Sequence, residues 1–68
     1  MIAHDELLED LRNSKTDLVR VVEAMLRDRA PYIVVPSAAV KAWEQREPQD
    51  WAKVSGWLAS RNGAMVQV

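Results

Sequence analysis

The stretch PYIVVP at residues 31–36 decides the fold. Its two prolines bracket four aromatic or β-branched residues, and proline can neither continue a helix nor donate a backbone hydrogen bond. The pattern therefore predicts a short strand at residues 32–35 and excludes a helix through this segment. All further elements must lie before the first proline or after the second.

Two helices are predicted after this strand. Ser37 is placed to cap the first, over residues 38–45, and Pro48 suits the first turn of the second, over residues 48–61. The Asn-Gly pair at residues 62–63 supplies the left-handed stop that helices commonly use. The side chains expected to face the core are Ala39, Val40, Trp43, Trp51, Val54 and Leu58.

Two further helices are predicted before the strand. Residues 3–12 place acids around leucines at helical spacing, and the early acids favour the positive end of the helix dipole. A second helix is expected to reach Arg29, with Ser14 and Asp17 approximating a capping box. One continuous helix over residues 3–29 is the alternative, because its apolar residues also lie near one face. The break near residue 14 is the preferred interpretation.

Residues 64–68 predict a second strand, which most simply pairs with the first beside the helices. The predicted class is therefore α+β and helix-rich, with four helices and a small two-stranded sheet. Residues 1–68 are expected to form one domain, since the chain is too short for two. Within it, residues 1–13 are an acidic helix and candidate dimerisation arm, and residues 14–68 are the core.

The composition is that of a small folded protein. Of the 68 residues, 49% are hydrophobic and 28% are charged, unlike the low hydrophobicity of disordered chains. The chain has no cysteine, so no disulfide can add stability, whereas a homodimer would add buried surface. No apolar run approaches the ~20 residues that span a bilayer, so a cytoplasmic protein without a membrane partner is expected.

The order of these elements resembles the winged helix-turn-helix superfamily. There, a helix leads into a short strand, then into two helices joined by a tight turn, then into a strand. The resemblance covers residues 18–68 and rests on element order and spacing rather than on a diagnostic motif. Val68 leaves no room for a second wing strand, and the turn at Arg46 and Glu47 lacks the glycine often seen there. A winged-helix-like core with a truncated wing is therefore expected.

The resemblance implies a small DNA-binding regulatory protein. Residues 48–61 would take the recognition position in the major groove of duplex DNA, where glutamine and lysine contact base edges. Asp50 opposes this function because its carboxylate repels phosphate, and stabilising the helix N-terminus is its expected role. The basic residues are about equally well explained as an ordinary solvated face. The residues expected to contact DNA are Lys41, Arg46, Gln49, Lys53 and Arg61.

The alternative function is a protein-interaction module, such as an adaptor, an antiactivator or an assembly factor. The net charge of -1 favours it over DNA binding. Trp57 lies off the face shared by Trp51, Val54 and Leu58, so partial exposure at an interface is one interpretation, although burial in the core is the favoured one. The acidic N-terminal helix offers a second apolar surface. The residues expected at a protein interface are Leu7, Leu8, Leu11 and Trp57.

No residues predict catalysis, a metal site or a cofactor. His4 is the only histidine, and its neighbour Asp5 does not share its helix face. The serines have no histidine partner placed for a triad, and the two glycines form no phosphate-binding loop. The expected function is therefore binding rather than an enzymatic reaction.

Overall fold

A computed structural model describes residues 4–68, so the predicted helix start at residue 3 lies outside the described residues. The class predicted from the sequence, α+β and helix-rich with a two-stranded sheet, is confirmed. The six elements are α1 (His4–Ser14), α2 (Leu18–Asp28), β1 (Tyr32–Val35), α3 (Ser37–Arg46), α4 (Pro48–Ser60) and β2 (Ala64–Gln67).

The two strands pair in parallel, with Tyr32 opposite Ala64 and Val35 opposite Gln67. Because a tight turn cannot join parallel strands, the chain crosses over through α3 and α4. Hydrogen bonds continue past the end of β1, where the backbone N–H and the hydroxyl of Ser37 each donate to the Val68 carbonyl at 3.0 Å. The prediction that Ser37 caps α3 is therefore wrong: it is the first residue of that helix and ties it to β2.

The predicted break between the first two helices is confirmed, and the continuous helix is wrong. Lys15, with a left-handed φ of 57°, follows the last residue of α1. The predicted capping box is also wrong, because Ser14 belongs to α1 and its hydroxyl donates to Asp50 Oδ1 at 3.2 Å. Thr16 Oγ1 instead accepts the backbone N–H of Leu18, at the start of α2, at 3.3 Å.

A set of four polar residues joins the α1–α2 connection to the beginning of α4. The Thr16 hydroxyl, only 2% exposed, donates to the Glu47 carboxylate, and Ser14 donates to Asp50. Asp50 is itself 8% exposed and lies in the first turn of α4. These side chains, called the polar clamp below, satisfy polar groups that burial would otherwise penalise.

Trp57 is the largest fully buried side chain of the core and is only 2% exposed. Its Nε1–H donates to His4 Nδ1 at 2.9 Å, and the Arg61 guanidinium carbon lies 4.6 Å from its ring centroid. Burial of Trp57 in the core, the favoured interpretation, is confirmed. The alternative of partial exposure is wrong because α4 packs against α1, α2, α3 and β2, so more than one of its faces is covered.

The other two tryptophans are less buried than predicted. Trp43 and Trp51 are half-buried and stack on each other at the α3–α4 contact, with ring centroids 6.1 Å apart. They pack against the core from its edge. The fully or nearly buried hydrophobic side chains are Leu7, Leu11, Leu18, Val21, Val22, Met25, Val35, Val40, Val54, Trp57 and Leu58.

Thr16 and Glu47 of the polar clamp should be thermodynamically coupled. Thr16→Val leaves the Glu47 carboxylate without its donor, so the free energy of unfolding should fall by about 1–3 kcal/mol. Glu47→Ala should also destabilise, and the double variant should cost less than the sum by about 1 kcal/mol. Urea denaturation measures each value. Ser60→Ala is the control, since its hydroxyl bonds only within α4; additive effects of the two clamp variants would contradict the coupling.

Candidate functional site

The five residues predicted to contact DNA do not form one exposed basic face. The Lys53 Nζ atom lies 3.4 Å from the Asp10 carboxylate of α1, so this cation is paired within the chain. Arg61 covers the Trp57 ring. The other three predicted residues, Lys41, Arg46 and Gln49, are exposed.

The exposed side of α4 is nearly uncharged. Apart from its terminal residues Pro48 and Ser60, its exposed residues are Gln49, Ala52, Gly56 and Ala59, and of these four only the glutamine could hydrogen-bond a base edge. A Cβ added at Gly56 would meet no atom within 4 Å, so this side of the helix is open to solvent. Small side chains here would permit close approach of DNA to α4 but provide few groups that could recognise a base sequence.

The predicted protein-interface residues are mostly inside the fold. Leu7 and Leu11 are 0% exposed, and Trp57 is buried with them, so these three side chains are core contacts. Leu8 is half-buried and lines a shallow groove between α1 and α2 together with Ala24 and Leu26. Of the four, only Leu8 retains surface that a partner could contact.

Charged side chains of α2 form the rim of this α1–α2 groove, namely Arg20, Glu23 and Arg27. Arg12 and Glu23 are 3.3 Å apart, and Arg27 Nε lies 3.1 Å from Asp28 Oδ1. Hydrogen bonding and then charge attraction from Arg27 lower the pKa of the Asp28 carboxyl. Both pairs are largely exposed, so they contribute little to folding stability and keep the groove rim polar.

The distinctive surface of the molecule is the side of the sheet that faces away from the helices. Its exposed large apolar residues are Tyr32 (56%), Val34 (53%), Val66 (43%) and Val68 (76%), and Val34 lies opposite Val66 in the register. We call these four residues the outer sheet face. The intervening residues point to the other side, where Val35 is buried and Ile33 and Met65 pack against the core.

An exposed apolar face is unusual for parallel strands. Parallel sheets are found almost entirely where both faces are covered, whereas antiparallel sheets commonly leave one polar face in water. Here the exposed face carries no charged residue, although it belongs to a parallel pair. The outer sheet face is therefore a parallel-sheet surface that the helices of residues 4–68 leave uncovered.

Sequence reasoning did not identify this face as a site. Its signal was present: the run at residues 32–35 is apolar at every position, the pattern of a strand buried on both sides. The run does not reveal which side the protein's own helices cover. That information requires the direction of the second strand and the path of the crossover.

Comparison with known proteins yielded no match to a protein-family model, a curated protein or a solved structure. Among residues 4–68, no cluster of histidine and acidic side chains is arranged to hold a metal ion. No helix in the same range combines the length and apolar character required to cross a bilayer. His4 has a structural contact through its bond to Trp57.

Two adjacent valines lie on opposite sides of the sheet: Val34 is on the outer sheet face and Val35 is in the core. Val34→Thr places a hydroxyl where it remains hydrated, so the free energy of unfolding should change by less than about 0.5 kcal/mol. Val35→Thr puts the same group at a site only 6% exposed, and the expected loss is about 1–3 kcal/mol. Urea denaturation of the two variants checks this; equal losses would show that Val34 also stabilises the isolated fold.

Proposed function

We propose that this protein is a protein-interaction module that binds its partner through the outer sheet face. The observation that carries the proposal is a parallel strand pair with four exposed large apolar side chains and no charge on that face. Contiguous apolar surface of this kind marks interaction sites more often than scattered exposed residues do.

The composition of the face suits a protein partner. Tyr32 provides an aromatic anchor with a polar end, a residue type that is enriched at interaction hot spots. Covering the half-exposed Val34 and Val66 would contribute roughly 1 kcal/mol each from apolar burial. Because the face has no charge to pair, binding should depend only weakly on salt.

Duplex DNA binding by α4 is the second candidate. Arg46 and Gln49 are exposed on the two sides of the α3–α4 turn, and the element order resembles that of winged helix-turn-helix proteins. This candidate has less support because Lys53 and Arg61 are engaged within the chain. Glu47 and Asp50 also place carboxylates at the start of the same helix, where they would repel phosphate.

Affinity capture with matched variants tests the proposal. A partner retained by the wild-type protein should be lost with the double variant Val34→Thr/Val66→Thr, because two hydroxyls then disrupt the apolar contact. Leu8→Gln is the control, since it changes the separate α1–α2 groove and should keep the partner. Purified partner should then bind with an affinity that changes less than about threefold between 50 and 200 mM salt, unlike a phosphate-dependent complex.

Titration of labelled random duplex DNA at low and physiological salt distinguishes the second candidate. The proposed function predicts no binding that depends on Arg46. Strongly salt-dependent binding that is lost in Arg46→Glu but kept in Val34→Thr/Val66→Thr would replace the protein-binding function with DNA binding, because counterion release accompanies phosphate contacts. Fluorescence anisotropy measures both variants.

A further inference from the structure

The outer edge of β2 carries backbone groups that no further strand within residues 4–68 bonds. The Ala64 N–H donates to the Pro31 carbonyl and the Val68 N–H to the Val35 carbonyl, each at 3.0 Å, so these residues face β1. Because backbone direction alternates along a strand, the N–H and C=O groups of Met65 and Gln67 point the opposite way. Within residues 4–68, β1 is the sole strand that pairs with β2.

The β2 edge is less protected than the β1 edge against the addition of a further strand. Pro31 and Pro36 flank β1, and proline is one of the devices that prevent further strands from adding to an edge. Residues 64–68 contain neither proline nor a charged residue, and Val66, Gln67 and Val68 are exposed. An edge of this kind is a ready template for strand addition.

We propose that a second copy of this chain adds to the β2 edge, with the two β2 strands antiparallel about a two-fold axis at Val66. In this register Met65 of each copy lies opposite Gln67 of the other, and these residues exchange four main-chain hydrogen bonds across the interface. The two copies of Val66 meet directly as a non-hydrogen-bonded pair, the geometry in which Cα atoms come within about 4.5 Å.

A second copy fits this edge better than a strand of unrelated chemistry because β2 is complementary to itself. A two-fold axis brings each side chain near its own copy, and the absence of charge in β2 means that no like charges meet. Val66 against Val66 is a β-branched cross-strand pair, which stabilises sheets. Ala64 lies opposite Val68 on the same face, so the small residue accommodates the larger one.

Pairing of β2 with its copy produces a four-stranded mixed sheet in the order β1-β2-β2-β1. A two-stranded sheet of four-residue strands is marginal by itself, and three or more strands give independent stability. The outer sheet faces of the two copies then become one continuous surface. The inference rests on the unpaired edge and not on the proposed function, which requires only the face.

Molar mass in solution gives the first test, measured by light scattering during size-exclusion chromatography over a range of concentrations. The wild-type protein should approach twice the chain mass as concentration rises. Val66→Lys should weaken association at least tenfold, because two ammonium groups meet at the axis. The matched control Val34→Lys adds the same charge to the same face on β1 and should leave the mass unchanged. Gln67→Pro should also give the monomer, since it removes an outward N–H.

Cross-linking gives a second test because a disulfide traps even a weakly populated dimer covalently. The chain has no cysteine, so Val66→Cys introduces a single thiol that dissolved oxygen should oxidise to a symmetric disulfide dimer, whereas Val34→Cys should cross-link at least tenfold more slowly. Circular dichroism checks that each variant is folded. Equal cross-linking rates, or a dimer that survives both Val66→Lys and Gln67→Pro, would overturn the proposal; the latter result would place self-association elsewhere, for example on α1.

The β2 pairing and the proposed function can be refuted independently. If the wild-type protein is a monomer and its partner is lost with Val34→Thr/Val66→Thr, only the β2 pairing is refuted. A wild-type dimer that captures no partner at its outer sheet face would support the pairing and count against the proposed function.

Discussion

The parallel pairing of β1 with β2 is the constraint on which the rest of the fold depends. To bring Ala64 beside Tyr32, the chain must return the full length of the strand, and residues 36–63 make that return as α3 and α4. The helices then cover the face that carries Val35 and Met65. The remaining face stays outside the core, and the candidate binding surface is therefore a direct consequence of strand direction.

The helices are held in this arrangement by a small core and by the polar clamp. In a chain of 68 residues without disulfides, a single large side chain supplies a substantial part of the apolar burial, and Trp57 has that role in α4. The clamp acts at the opposite end of the same helix, where Thr16 and Ser14 bond Glu47 and Asp50. Helix α4 is thus fixed at both ends, which positions β2 immediately after it.

Local sequence signals predicted the elements and the burial of Val40, Val54 and Leu58 well, but not the half-burial of Trp43 and Trp51. The prolines at 31, 36 and 48 and the Asn-Gly pair at 62–63 act through their own backbone geometry, so their effect is readable without the fold. The burial of Trp57 depends on how many neighbours surround α4, and the role of Ser14 depends on Asp50, 36 residues away. Both are tertiary properties, as is strand direction, and no local pattern specifies them.

The distribution of charge explains why the sheet face, rather than a basic surface, is the distinguishing feature. Arg12, Arg27 and Lys53 each lie beside an acidic residue of the same chain, Glu23, Asp28 and Asp10 respectively. Such pairs weaken the local fields that would attract a polyanion, and the net charge of the chain is -1. Water solvates the paired charges readily, whereas it solvates the valines and tyrosine of the sheet poorly. Burial of these apolar side chains would therefore be favourable, which supports the proposed protein partner over a nucleic acid.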